Sequence, residues 1–79
     1  MKNVIHRVSI VGDVEGVGFE DFLDFYVKRL DLNKVAIASH GSRVEIDLQG
    51  APELIDMLMM ACWLGPPRAA VSDVLLSHF

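Results

Sequence analysis

The character of the sequence changes at residues 12–20, which read GDVEGVGFE. Before this stretch the residues alternate as in a strand, with His6, Val8 and Ile10 on one predicted face. After it, apolar residues recur at three- and four-residue steps, as on one side of an amphipathic helix. The three glycines within the stretch give the backbone the freedom that a tight turn requires. These residues therefore predict a strand, a glycine-rich loop and a helix in direct succession.

The rest of the chain predicts two strands, a second helix and a last strand. Pro52 suits the first turn of a helix and Gly65 suits its end, because proline lacks an amide hydrogen and glycine tolerates the capping conformation. The last strand alternates imperfectly, so a bulge or burial on both faces is expected there. The sequence predicts strands at 4–14, 34–39, 43–49 and 70–78, and helices at 19–30 and 52–64.

The order of these elements, βαββαβ, predicts a ferredoxin-like two-layer sandwich. Two right-handed βαβ crossovers share a four-stranded antiparallel sheet and place both helices on one of its faces. No repeat, linker or low-complexity segment interrupts the chain, so residues 1–79 are expected to form a single domain. This fold hosts many functions and does not by itself indicate one.

Composition excludes several classes of protein. The 79 residues carry a net charge of −4, which argues against nucleic-acid and anionic-membrane partners because these require clustered basic residues. One cysteine, Cys62, rules out an intramolecular disulfide framework and a multi-cysteine zinc site. The longest apolar run, residues 57–64, is far below the roughly 20 residues that span a bilayer. No apolar signal-peptide stretch follows the N-terminus, so we expect a cytoplasmic domain. No cofactor is expected.

The acidic residues are unevenly distributed. Five of the eleven carboxylates lie within residues 13–24, in and beside the glycine-rich loop, with no Lys or Arg among them. A solvated acidic rim is expected rather than a metal site, because the spacing does not match a calcium-binding loop. As an alternative use, Glu20 could accept hydrogen bonds from the loop amides and fill the loop from within.

The glycine-rich loop resembles the signature of the acylphosphatases. Residues 12–19, GDVEGVGF, are similar to the family pattern GxVQGVGFR. The likeness continues through Val44-Glu45-Ile46 and ends at residues 65–71, GPPRAAV, which resemble the family segment GPPxAxV. The resemblance spans nearly the whole chain, and these segments occur in the family's order.

This resemblance implies a small hydrolase of acyl phosphates that needs no metal. In that family the loop amides and an arginine directly after the motif phenylalanine hold the phosphate. An asparagine at the end of the second strand orients the attacking water. The loop residues that the resemblance assigns to such an anion site are Glu15, Gly16, Val17, Gly18, Phe19 and Glu20.

The sequence departs from the family pattern at both catalytic positions. Glu20 stands where the family has arginine, and counting back from Val44 without a gap places Ala38 at the asparagine position. A register slip of one residue would offer Ile37 or Ser39 instead, and neither is an equivalent of asparagine. The only asparagines of the chain, Asn3 and Asn33, are poorly placed to replace it. We therefore expect an inactive relative that acts as a binding or interaction module. The alternative is an active acylphosphatase that has recruited other residues.

The helices indicate where such a module would bind. Met60 and Trp63 fall on the predicted polar side of the second helix, and Phe25 lies between charged residues of the first. Met and Trp are enriched at protein interfaces, so these residues predict contact with a second copy or another protein. Alternatively, the ends of the helices are covered by a loop or a terminus.

Overall fold

The computed structural model describes residues 5–78 and confirms the βαββαβ order. The predicted position Val4 lies outside the described residues, and the first strand ends before Val14 rather than including it. The second strand is longer by one residue at each end than predicted. The elements are β1 (Ile5–Asp13), α1 (Phe19–Arg29), β2 (Asn33–His40), β3 (Arg43–Gln49), α2 (Pro52–Leu64) and β4 (Ala70–His78).

The four strands form one antiparallel sheet in the order β2-β3-β1-β4. This is the ferredoxin-like arrangement that the element order predicts. β1 and β3 are the inner strands, and the glycine-rich loop leaves the end of β1 at the start of α1. The loop is therefore attached to the centre of the sheet at one end and to a helix at the other.

The hydrophobic core lies between the sheet and the two helices. Alternate residues of β3, namely Val44, Ile46 and Leu48, are fully buried, as the period-two pattern predicts. Cys62 on α2 is fully buried as well, and burial raises the pKa of its thiol to about 12. The thiolate is the reactive form of cysteine, and a thiol with this pKa forms almost no thiolate at neutral pH. Cys62 therefore serves as a packing residue of the core and not as a nucleophile.

The other face of the sheet is polar. The Arg7 guanidinium on β1 donates hydrogen bonds to both carboxylate oxygens of Asp47 on β3, at 2.8 and 3.2 Å. Ser9 on the same strand donates to Glu45, the residue opposite it on β3. These cross-strand contacts fix the register of the two inner strands on the face without helices.

The irregularity expected in the last strand is a bulge opposite Gly12. Val11 pairs with Asp73 and Gly12 with Val71, so Ser72 is the extra residue of β4. Gly12 has a φ of 140°, and a Cβ on it would overlap the Ala70 carbonyl oxygen. Glycine is therefore required at this bulge, one residue before β1 ends and the loop begins.

Candidate functional site

The loop between β1 and α1 is built by two glycines and two buried anchors. Gly16 and Gly18 have φ values of 68° and 81°, the left-handed conformation that glycine adopts without steric cost. Val14 and Phe19 are both almost completely buried and hold the two ends of the loop against the core. Gly18 is the N-cap of α1, and no side chain caps the helix. The first amides of α1 are thus available to a group bound in the loop.

A cavity of about 280 Å³ opens at this loop. Two of the residues that line it, Glu20 and Asp21, carry carboxylates, and among residues 5–78 no Lys, Arg or His lines it. Two negative side chains therefore lie beside the positive end of the α1 dipole and offset its attraction for an anion. Its lining residues are Val14, Gly16, Gly18, Phe19, Glu20, Asp21, Ser39 and Val44.

Glu20 contacts the neighbouring strand and not the loop. The Ser39 hydroxyl on β2 donates a hydrogen bond of 3.4 Å to the Glu20 carboxylate. In the described part of the chain, no loop amide donates to Glu20. The hypothesis that Glu20 fills the loop from within is wrong for this structure, because its carboxylate turns across the cavity toward β2.

The alternation of β2 decides which residue faces the loop. Ser39 is paired with the buried Val44 and lies on the helix side of the sheet. Ala38 is paired with Glu45 and lies on the opposite, open face, beside Arg7. The residue that β2 presents to the loop is therefore Ser39, one position after the residue that counting along the sequence selected.

The asparagines of the chain do not supply the missing amide. Asn33, the one asparagine within residues 5–78, lies at the start of β2 and donates a hydrogen bond of 3.1 Å to Gln49. Asn3 lies outside the described residues. The loop cavity is at the other end of β2, so Asn33 is a whole strand away from it.

Comparison with known proteins identifies the family of this fold and loop. The acylphosphatase family profile matches residues 6–78 of the 79 residues. The chain belongs to the acylphosphatase family. It is 28% identical over 74 residues to an acylphosphatase of Rhodopseudomonas palustris strain BisB18, covering 94% of this chain and 75% of that protein.

Solved acylphosphatase structures share the fold over almost the whole chain. The crystal structure of acylphosphatase from Bacillus subtilis matches with a TM-score of 0.86 at 26% identity, covering 96% of this chain and 84% of that one. An acylphosphatase from Coxiella burnetii matches with a TM-score of 0.85 at 32% identity, covering 98% and 81%. The likeness of the loop to the acylphosphatase motif is thus one part of a similarity in sequence and structure that extends over almost the whole chain.

The acidic cluster of this acylphosphatase-family chain is spread over several environments. Glu20 and Asp21 line the cavity, whereas Asp24 accepts a hydrogen bond of 2.7 Å from the Lys34 ammonium on β2. Asp13 and Glu15 are exposed and do not line the cavity. Within residues 5–78, no group of three or more His, Cys, Asp or Glu side chains is arranged to hold a metal ion.

The three residues predicted for an interface are exposed on the helical layer. The exposed fractions are 57% for Phe25, 70% for Met60 and 51% for Trp63, so no described loop covers them. Two further residues of α2, Met57 and Leu64, are also exposed and escaped the prediction. Their spacing of three and four residues from Met60 is the signal that could have identified them. Neither described helix is long and apolar enough to cross a membrane.

Proposed function

We propose that this acylphosphatase-family domain does not hydrolyse acyl phosphates and acts instead as a binding module in the cytoplasm. The observation that carries the proposal is the Glu20 carboxylate at the loop cavity, where the family resemblance implies an arginine. The cavity and the left-handed glycines of the loop are present. The proposed difference from an enzyme therefore lies in charge and not in backbone shape.

Charge opposes phosphate binding in this cavity. Arginine would donate a planar fork of hydrogen bonds to phosphate oxygens, whereas a carboxylate donates none and repels them. At about 4 Å, two like charges cost about 1 kcal/mol in water and about 4 kcal/mol at a protein surface. Asp21 adds a second negative charge at the same cavity. The loop amides would have to overcome both carboxylates without a cation among the lining residues.

A second difference concerns the attacking water. Under the family resemblance, an asparagine amide holds that water from the end of the second strand. The Ser39 side chain is shorter than that of asparagine, and its hydroxyl lies 3.4 Å from the Glu20 carboxylate, to which it donates. A water would thus lack the fixed amide donor and acceptor pair. Positioning supplies much of the rate enhancement in such reactions, so this loss adds to the loss of arginine.

The alternative function is an active acylphosphatase with recruited residues. It is favoured by the Rhodopseudomonas palustris and other relatives named acylphosphatase, and by the open loop cavity. In such an enzyme Glu20 would hold the attacking water as a general base through its exposed carboxylate. The two functions make opposite predictions for the same assay.

Hydrolysis of benzoyl phosphate by the purified chain separates the two. We expect a rate no higher than the spontaneous rate, with the Bacillus subtilis acylphosphatase as the positive control. Heat-unfolded protein gives the blank. A rate tenfold or more above the blank would overturn the proposal, and its loss in Glu20→Gln would then assign the base to Glu20.

The binding role is proposed for the helical face. Phe25, Met60 and Trp63 form no part of the core, and aromatic residues and methionine are enriched at protein interfaces. A large apolar side chain in water has an unfavourable free energy that contact with a partner removes. We therefore propose that this domain contacts a protein through its helices.

A further inference from the structure

The outer side of α1 carries an exposed aromatic ring between charges of opposite sign. An open depression of about 570 Å³ lies on this side of the helix, and residues of α1 alone line it. The five lining residues, which we call the α1 patch, are Asp21, Asp24, Phe25, Lys28 and Arg29. The two carboxylates lie nearer the start of α1, and the two cations lie in its last turn. The structure therefore places acid, ring and base, in that order, on one surface.

Most of the charge on the α1 patch is not paired within the chain. Asp24 accepts a hydrogen bond from the Lys34 ammonium at 2.7 Å and is half exposed. Asp21, Lys28 and Arg29 are exposed, and none of them is in an ion pair among residues 5–78. The α1 patch therefore offers a partner one carboxylate at one end and two cations at the other.

The spacing of the α1 patch makes it complementary to itself. Asp21, Phe25 and Arg29 are four residues apart and form one ridge of the helix. Four residues rise about 6 Å along a helix, so the acid and the base lie at equal distances on either side of the ring. A two-fold axis at Phe25 therefore brings Asp21 of one copy to Arg29 of the other, twice. Such ridges align when two helices cross at about 50°, the commonest packing of helices in globular proteins.

We propose that the occupant of the α1 patch is a second copy of this chain, docked with the two α1 helices running in opposite directions across a two-fold axis at Phe25. This inference rests on the proposed binding role of the helical face and names the partner. An isologous dimer requires a surface that is complementary to itself, and the order of charges on α1 meets that requirement. The two rings form the apolar centre of the contact and the ion pairs form its rim. A parallel arrangement would place Asp21 against Asp21 and gain no ion pair.

The neighbours of Phe25 hold this arrangement ready, and α2 offers no equivalent. The Arg29 guanidinium lies 6.0 Å from the centre of the Phe25 ring, so the cation is already beside the proposed axis. The exposed apolar residues of α2 have no such flanking charges, because both charged residues of that helix, Glu53 and Asp56, are acidic. Two α2 helices facing each other would gain no ion pair. An exposed residue of α2 therefore serves as a control.

Sedimentation velocity over a concentration range from about 5 μM to 500 μM tests the dimer. A contact through a helix of 11 residues is small, so we expect a weak dimer that forms within that range. We expect Phe25→Glu to remain monomeric, because two carboxylates would face each other at the axis. Met60→Glu is the matched control, since Met60 is an exposed apolar residue on the other helix, and it should dimerise as the parent does. A parent that stays monomeric at about 500 μM overturns the proposal, as does a dimer that Met60→Glu alone dissociates.

A charge exchange tests the pairing of Asp21 with Arg29. We expect Asp21→Arg and Arg29→Asp each to raise the dimer Kd about tenfold, and the double variant to recover most of the parent affinity. Singles and double that are equally weak would overturn the pairing. Circular dichroism measures the helix content of each variant, and if Asp21→Arg loses helix, a parent-like Kd in Arg29→Asp alone overturns the pairing.

The two proposals fail in different experiments. Benzoyl phosphate hydrolysis by a parent chain that dimerises would overturn the inactive-domain proposal alone. A parent chain that stays monomeric and does not hydrolyse benzoyl phosphate would overturn the dimer alone.

Discussion

Glu20 has opposite effects on the helix and on the cavity. It is the second residue of α1, where the positive end of the helix dipole stabilises a negative side chain by about 0.3–1 kcal/mol. The same carboxylate lines the cavity at the loop and repels an anion there. With an arginine at this position, α1 would lose this stabilisation of its start, and the cavity would have a cation that attracts an anion. The residue present favours stability of the helix start over recognition of phosphate.

Gly12 is the residue at which a single methyl group has the clearest predicted effect. Gly12→Ala places a Cβ against the Ala70 carbonyl and 2.8 Å from the Ser72 amide nitrogen, at a φ of 140°. We expect the free energy of unfolding to fall by about 2 kcal/mol or more, since strain and overlap add. Urea denaturation followed by circular dichroism measures the change.

Gly41→Ala is the control for that variant. Gly41 also has a positive φ, 58°, but nothing lies within 4 Å of the added carbon. We expect it to cost about 1 kcal/mol, from backbone strain alone. Equal losses in the two variants would contradict the role given to the bulge contact between β1 and β4.

At the level of the elements, β2 determines which side chain reaches the loop cavity. Successive residues of a strand point to opposite faces, so an error of one position moves a side chain through the sheet. Ser39 shares a face with Val44 and the cavity, whereas Ala38 shares a face with Glu45. When the position on β2 is assigned by counting along the chain, an error of one residue therefore places the side chain on the wrong face of the sheet.

Two double variants test this alternation. We expect Glu20→Arg with Ser39→Asn to bind inorganic phosphate with a Kd at least tenfold lower than Glu20→Arg with Ala38→Asn, because only Asn at 39 would face the loop. Isothermal titration calorimetry at low ionic strength measures both. Equal affinities would show that the face of β2 does not matter and that arginine alone determines binding.

The second helix carries more apolar residues than its core-facing side buries. Ile55, Leu58 and Cys62 face the core with Leu54 and Met59 packed beside them, whereas other apolar residues of α2 are exposed: Met57, Met60, Trp63 and Leu64. A helix that is apolar on more than one side has a second surface to bury. In α2 that second surface consists of the exposed residues around Met60, and the proposed binding role of the helical face rests on them.

For the whole molecule, the order of strands predicts where the fold opens first. β1 lies in the centre of the sheet between β3 and β4, whereas β2 is an edge strand whose side chains are mostly exposed. We expect the amides of Val8 and Ile10 to exchange with solvent at the rate of global unfolding. Those of β2 should exchange about tenfold or more faster, through local opening.

Hydrogen exchange followed by NMR measures this difference. The β3 amides that bond to β1 serve as the internal reference, because they lie between two inner strands. Uniform protection across β1 and β2 would mean that the sheet opens only as a unit. The loop cavity, which uses Ser39 of β2, would then be as rigid as the core.

Much of the architecture was predictable because local chemistry and long-range packing agree. The bounds of β3, α2 and β4 match the sequence prediction, since alternation, Pro52 and Gly65 leave few alternatives. The loop between β1 and α1 was predictable for the same reason, because three glycines and a helix pattern adjoin. The family likewise followed from short motifs that occur in the right order.

The sequence by itself determined the order of elements, the glycine loop and the presence of Glu20 beside it, because each depends on neighbours along the chain. Only the tertiary structure decided that Ser39 and not Ala38 faces the loop, and that the Glu20 carboxylate turns to β2. It also decided that Met57 and Leu64 belong to the exposed apolar surface of α2. These facts depend on which face of a strand or helix meets the core, and that choice is made by packing between elements distant in sequence.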